Sequence, residues 1–301
     1  MSRDTPRETT SAPLDQADGL RRMFGHSRMR FVPVVSNPNM AFAGALLERL
    51  CTAFNELGLS TLVIDASERA PAPGELAVLD IAECIEPLSD QVGYLAARGL
   101  PLRFVDTHGG TGALLQAVAE AASDFDVAMV HAGASELCRL FGRRAVRPLL
   151  LADDRPDSVT HAYASMKLMR LRAGFMVYEL LLGCAPNSAR AERIVERLAS
   201  CADDFLGAVL RDFAVVDPTT DASEPAPAEL RRLARELHAV AVPAMADEGD
   251  PSVFGPLGSA PVPLAPLPLV PRPNGASRAK PGAKPTTAAP RSHAASSRQA
   301  G

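Results

Sequence analysis

RFVPVVSNPNMAFAGALLERLCTAFNEL, residues 30–57, reads as a buried strand, a turn and an amphipathic helix in immediate succession. Phe31, Val32, Val34 and Val35 are apolar without alternation, the pattern of a strand covered on both faces. Leu46, Leu47, Leu50, Phe54 and Leu57 then recur at three- and four-residue steps, and Gly58 stops the helix. Moving outward, 60–65 (STLVID) reads as a second buried strand. Helical patterns are predicted around 75–85 and 88–98, the second broken at Gly99 and Pro101. A third strand is predicted over 102–106, followed by the glycine-rich 108–112 and a helix to about Ala122. Strands at 126–131 (DVAMVH) and 147–152 (RPLLLA) enclose a short helix. Helix 158–172, strand 175–182, helix 187–204, strand 208–216 and helix 227–240 complete the series. Apolar strands separated by helices imply βαβ units. The right-handed crossover then favours an α/β protein with a three-layer, doubly wound, mostly parallel sheet, whose ligands sit at the carboxyl ends of the strands.

Composition narrows the classes. The 301 residues carry 31 Lys+Arg against 35 Asp+Glu, a formal charge of −4, and 47% of them are hydrophobic, enough for a sizeable core. No apolar run approaches the roughly 18 residues of a membrane span, and the polar start MSRDTPRETTSAP is unlike a secretory signal. Five cysteines without CxxC spacing read as reduced thiols of a cytoplasmic protein. The charge is uneven: residues 272–301 hold six basic residues and no acid, so the remainder stands at −10. A body of that sign does not suit phosphate contact, so nucleic acid is not an expected partner. Residues 243–301 contain twelve prolines and read as a Pro-rich, basic, disordered tail, and residues 1–13 as a disordered leader. The basic tail allows at most a weak contact with an anionic membrane surface, such as the inner face of the cell membrane.

Several residues invite chemistry. Asp106, His108 and His131 fall at or just past expected strand ends, where metal ligands can converge, but satisfied histidines are the plainer reading and no metal site is expected. The turn at 108–112 lacks a flanking base and reads as a tight turn. Leu230, Leu233 and Leu237 with Arg231, Arg232 and Arg235 suit either a last structural helix or a membrane-surface helix, and the structural helix is preferred. In residues 14–29, Ala17, Leu20 and Phe24 share one helical stripe. A helix so short needs a surface to order on, whether its own domain or a partner.

That segment also carries a family resemblance. Asp15-Gln16-Ala17-Asp18-Gly19-Leu20-Arg21-Arg22 resembles the DQAxxLR element at the N-terminus of FlhG, the MinD/ParA-like ATPase that regulates flagellar number. Residues 157–167 (DSVTHAYASMK) look like the family's T-D-A-Y-x-x-I-K helix. Residues 125–132 are similar to its strand ending in the Walker B acid, and 191–207 (AERIVERLASCADDFLG) to its late helix ending in F-L-G. The resemblance runs in order over about 15–216 and implies a MinD-like P-loop NTPase fold for residues 30–242.

The departures from the family matter as much. A MinD-type phosphate loop wraps phosphates with backbone N–H groups, neutralises them with lysines and holds Mg²⁺ with a hydroxyl. Here the loop is Ser36-Asn37-Pro38-Asn39-Met40-Ala41-Phe42-Ala43-Gly44. By alignment with the motif, Pro38 falls near the signature lysine, Ala43 near the P-loop lysine and Gly44 near the Ser/Thr. The first lysine of the whole chain is Lys167. His131 takes the Walker B aspartate position, Asp65 is kept on the switch strand, Ser67 takes the second acidic position, and Gly183 falls near the adenine-contacting Asn. A multiply charged phosphate desolvated without cations is costly, so a nucleotide-free pseudo-ATPase without cofactor is expected. The resemblance implies that the N-terminal helix meets an FlhF-like, signal-recognition-particle-type GTPase. Gln16 would then complete the partner's active site, and Leu20 and Arg21 would anchor the helix, flanked by Asp15 and Ala17. Two alternatives stay open: an active ATPase with an atypical phosphate loop, and a ParA-like adaptor of another polar or envelope apparatus such as cellulose secretion.

Overall fold

The computed structural model describes residues 29–244, apart from 76, 78, 79, 143, 186 and 187. The leader, the motif of residues 15–22 and the chain beyond 244 lie outside the described residues. The elements run β1 (Arg30–Val35), α1 (Ala43–Glu56), β2 (Thr61–Asp65), β3 (Ile85–Ser89), β4 (Val92–Ala96), α2 (Ala113–Ala121), β5 (Val127–Ala132) and α3 (Ala134–Phe141). They continue with β6 (Leu149–Asp153), α4 (Pro156–Ala173), β7 (Val177–Gly183), α5 (Ala189–Leu206), β8 (Val209–Val216), α6 (Ala228–Val240) and β9 (Val242–Pro243).

One sheet of order β3-β4-β2-β5-β1-β6-β7-β8 results, with β9 beside β1. It is parallel except for β3 at one edge and β9, both antiparallel. The sheet separates two cores. On one face α2, α3, α4 and α5 cover Phe31, Ile64, Val130, Leu150 and Leu180. On the other, α1 and α6 cover Val32, Val34, Met129, Leu149 and Leu181. The alternation of apolar residues to opposite faces explains why β1, β5 and β6 are hydrophobic throughout. The three-layer, doubly wound, mostly parallel architecture expected from the sequence is therefore the one observed. No helix among the described residues is long and apolar enough to cross a membrane. Leu230, Leu233 and Leu237 are at most 1% exposed, so α6 spends its apolar stripe on the core.

Pro33 in the central strand is accommodated by the ladder. Arg30 N–H donates to Asp126 O and Ser36 N–H to Ala132 O, so even-numbered residues of β1 face β5. Pro33 faces the other way, between the last β9 pair at Phe31 and the first β6 pair at Val34, where no N–H is required.

Three local expectations are overturned. Residues 85–96 form a hairpin rather than helices, with Ile85, Val92 and Tyr94 supplying the β-branched and aromatic residues a strand favours. Gly93 sits against Phe125, and a Cβ there would lie 2.6 Å from its ring. Residues 100–104 are a 3₁₀ turn, not a strand, because Gly99 takes φ 74° and Pro101 opens the turn. The strand that pairs with β2 is thus β4, ten residues earlier than expected.

Two buried charges set the energetics. Arg49 on α1 is 2% exposed, and its Nη1 and Nη2 donate to the carbonyls of Asp221, Ala222, Glu224 and Pro225 at 2.6–3.3 Å. It thereby fastens the β8–α6 connection to α1. Glu179 on β7 is fully buried, with no hydrogen-bond partner on either carboxylate oxygen and Arg147 at 3.8 Å. Burial, helped by the Asp212 charge and opposed by Arg147, pushes its carboxyl up to about 7.

The Arg49→Met variant is expected to lose about 3 kcal/mol in urea unfolding, because Glu224 O and Pro225 O lose their donor and Asp221 O and Ala222 O lose one of two. For Glu179 the folded pKa lies above the unfolded one, so its penalty is absent at low pH. The penalty grows as pH rises from about 4.5 toward 7 and is constant beyond. The melting temperature of Glu179→Gln should therefore exceed that of the parent by several degrees at pH 8 and by little at pH 4.5.

Candidate functional site

At the carboxyl ends of the strands a cleft of about 810 Å³ opens beside the β1–α1 loop, lined also by the loops after β2, β4 and β5 and by α4. This is the crevice position at which doubly wound sheets bind ligands. Its nucleotide-side wall is the loop of residues 36–44, and that loop is tied down by its own side chains. Asn37 is 4% exposed, and its Nδ2 lies 2.9–3.1 Å from Leu151 O, Ser158 O and Ser158 Oγ. Its Oδ1 accepts from Asn39 N–H at 3.1 Å, and its carbonyl accepts from Met40 N–H at 3.1 Å. Ser158 Oγ accepts in turn from Asp153 N–H, joining β1, β6 and α4 through one side chain. Arg155, paired with Asp153 at 3.0 Å, donates to Asn39 O. Two backbone N–H groups of the loop are thus consumed internally. Pro38 offers none, Met40 is buried, and Phe42 projects outward at 58% exposure.

The loop residues Asn37, Pro38, Ala43 and Gly44 all line the cleft. The helix that follows begins without a side-chain cap at Phe42. Gly183 is crowded on its far side, since a Cβ there would stand 3.2 Å from Leu46.

At the cleft floor, Asp65 and His131 are direct partners in the β2–β5 register, so their side chains emerge side by side. His131 Nδ1 lies 2.9 Å from Asp65 Oδ1, which also accepts from Ser67 N–H at 3.1 Å. The Asp65 carboxyl stays below the usual aspartate range: burial raises it, but the hydrogen bond and charge of His131 and the two bonds from Ser67 outweigh burial. An ionised carboxylate accepts only, so Nδ1 carries the proton toward Asp65. The His131 Nε2 is buried, in a side chain 8% exposed, and has no partner. An unmet buried polar atom of this kind costs about 1–3 kcal/mol. Burial, then the Asp65 charge, lifts the neighbouring Tyr94 phenol to about 12.

His131 therefore sits with Asp65, not with Asp106 and His108. Asp106 Oδ1 accepts from His108 N–H and Gly110 N–H at 2.8 Å and closes its own turn. Among the described residues no group of three His, Cys, Asp or Glu is spaced to hold a metal ion. Sequence reasoning missed Arg69 and Arg98, which line the cleft from the loops after β2 and β4. Their signal is a base a few residues past each strand end, and it becomes readable once β4 is recognised as the neighbour of β2. The partner-binding candidates Asp15, Gln16, Ala17, Leu20 and Arg21 lie outside the described residues.

The chain matches no protein-family model. Antiactivator FleN of Pseudomonas aeruginosa is 30% identical over 105 residues, 34% of this chain and 38% of FleN, so the chain spans well under half of that protein. Apo McdA of Cyanothece shares the fold with TM-score 0.50 at 12% identity, over 69% of this chain and 99% of McdA. MinD of Aquifex aeolicus gives TM-score 0.45 at 17% identity, over 72% of this chain and all of MinD. The architecture is that of the MinD/ParA-like proteins, within the P-loop NTPase fold. Over the matched residues the chain is similar to FleN, and its β1–α1 loop carries neither a lysine nor a hydroxyl at Ala43 and Gly44.

Replacing Asn37 by Ala should cost about 2–3 kcal/mol in equilibrium unfolding, because Leu151 O loses its side-chain donor and Ser158 O and Oγ lose one of theirs. Asp65→Asn is expected to be milder at neutral pH. Its cost should vanish as pH falls through the folded-state pKa of Asp65, below 3.8, where the parent carboxyl also loses its charge.

Proposed function

We propose that the chain is a non-catalytic, nucleotide-free MinD/ParA-like regulator that works by protein contact in flagellar assembly. The observation that carries this reading is the self-satisfied loop. Asn37 and Arg155 occupy the turn that would wrap phosphate, and neither lysine nor hydroxyl stands at Ala43 or Gly44. The electrostatic side agrees. Two arginines at the cleft are matched against the carboxylates of Asp65, Glu68 and Glu136, leaving no surplus for a triphosphate.

The contact proposed is with an FlhF-like, signal-recognition-particle-type GTPase through the motif of residues 15–21. A glutamine such as Gln16 can orient an attacking water without titrating. Leu20 would fill an apolar pocket, and Arg21 would pair at its rim. The similarity to the antiactivator FleN supports a regulatory role of this kind. The sandwich then acts as a rigid platform for the N-terminal segment.

Single-turnover GTP hydrolysis by such a GTPase is the direct test. The intact protein should raise the rate by at least about tenfold, and Gln16→Ala should remove the stimulation while pull-down still recovers the complex. An unchanged rate in the presence of the intact protein would refute the activator role.

A further inference from the structure

The two most exposed large apolar side chains among the described residues, Leu171 and Phe205 at 74% each, stand on neighbouring helix ends. Leu171 lies in the last turn of α4 and Phe205 in the last turn of α5. Arg170 Nε donates to Leu206 O at 3.1 Å and holds those two ends together. Met176, half exposed, leads from α4 into β7, and its carbonyl accepts from Val209 N–H. Both helices run against the strands, so this patch lies at the amino end of the sheet, away from the cleft. Phe42, Leu102 and Val105, also exposed, stand at the carboxyl end.

Charge at the patch is unmet as well. The last turn of α5 carries Asp203 and Asp204 and no base, at the helix end whose carbonyls favour a cation. Arg170 meets one of those carbonyls, but neither carboxylate has a hydrogen-bond or ion-pair partner among the described residues.

The chain itself supplies a fitting occupant. The described residues begin at Met29, which is buried in the same core as Phe175. The register Val34–Leu149–Glu179 across β1, β6 and β7 puts Met176 level with Phe31, two strand spacings or about 10 Å away. Residues 25–28 span up to about 14 Å when extended. Just before them come Ala17, Leu20 and Phe24 on one helical stripe about 10 Å long, with Arg21 and Arg22 beside it. Tether, apolar stripe and basic pair thus match the distance, the apolar patch and the acidic pair. A tether this short gives an effective concentration of millimolar order, so even a weak contact is populated.

We propose that residues 15–24 dock as a helix on the α4 and α5 ends of their own chain, with Leu20 and Phe24 against Leu171, Met176 and Phe205, and Arg21 and Arg22 at Asp203 and Asp204. Docking covers the Leu20 side chain that a partner GTPase would need, so the contact stays closed until the partner displaces the helix. That consequence, unlike the docking, rests on the partner reading of residues 15–21.

The chain has no tryptophan, so Phe24→Trp puts a single fluorophore into the full-length protein. Its emission should be blue-shifted. Its acrylamide quenching constant should be about threefold below that of the same reporter in a Leu171→Ser/Phe205→Ser background matched by circular dichroism. Leu20→Ser should release the reporter likewise. Equal quenching in the parent and double-variant backgrounds overturns the proposal. So does protection that fades on dilution from micromolar to nanomolar protein, which would seat a second copy on the patch. With the natural Phe24, the double variant should bind the partner GTPase about threefold more tightly than the parent. Equal binding overturns the occlusion of Leu20. No binding by either protein, with the reporter protected, overturns the partner reading and leaves the docking in place.

Discussion

The carboxamide of Asn37 is the constraint on which the carboxyl end of this sheet depends. One side chain reaches the carbonyl of Leu151 on β6, the carbonyl and hydroxyl of Ser158 on α4, and the N–H of Asn39 in its own loop. Because the group is buried, each of those bonds is made in a low-dielectric setting where a lost partner is expensive. The loop between β1 and α1 is consequently closed by contacts with its own chain. A phosphate-binding loop works in the opposite sense, leaving its N–H groups unmet until the ligand supplies acceptors. The Arg155 bond to Asn39 O and the missing donor at Pro38 act in the same direction.

The second organising feature is the pair Asp65 and His131. Their direct register in adjacent parallel strands makes their contact a consequence of strand order. Where a MinD-type protein is expected to place an acid, this chain places an imidazole that donates from Nδ1 to the remaining acid. Cations return at Arg69 and Arg98, on the loops of neighbouring strands, and face carboxylates in excess. The lining thus carries more carboxylates than arginines, which is the physical basis for reading it as unsuited to ATP.

Much of this was legible in the sequence, for identifiable reasons. The strand–turn–helix of residues 30–57 and helix α6 carry strong periodicity, and both read as the elements they form. Residues 85–96 failed because spacing alone could not tell a hairpin from a helix, and Gly93 is explained only by the ring of Phe125 brought in from elsewhere. Residues 102–106 fail because Leu102, Phe104 and Val105 after Gly99 and Pro101 look like a strand, while residues 100–104 wind as a 3₁₀ turn. At the site, the missing lysines and the histidine at position 131 could be read directly. The pairing of His131 with Asp65 could not, since strand order is a tertiary fact, and Asp106 and His108 were nearer in sequence. The role of Asn37 was hidden for the same reason: its partners lie 114 and 121 residues away.

Calorimetric titration of ATP with Mg²⁺ into the intact protein tests the central claim most directly, since it asks whether the closed loop admits a triphosphate. The account predicts no saturable heat up to millimolar nucleotide, with an unchanged result in Asp65→Asn. A one-to-one isotherm at micromolar affinity would contradict it, showing that the loop opens and that this protein is a nucleotide-driven switch.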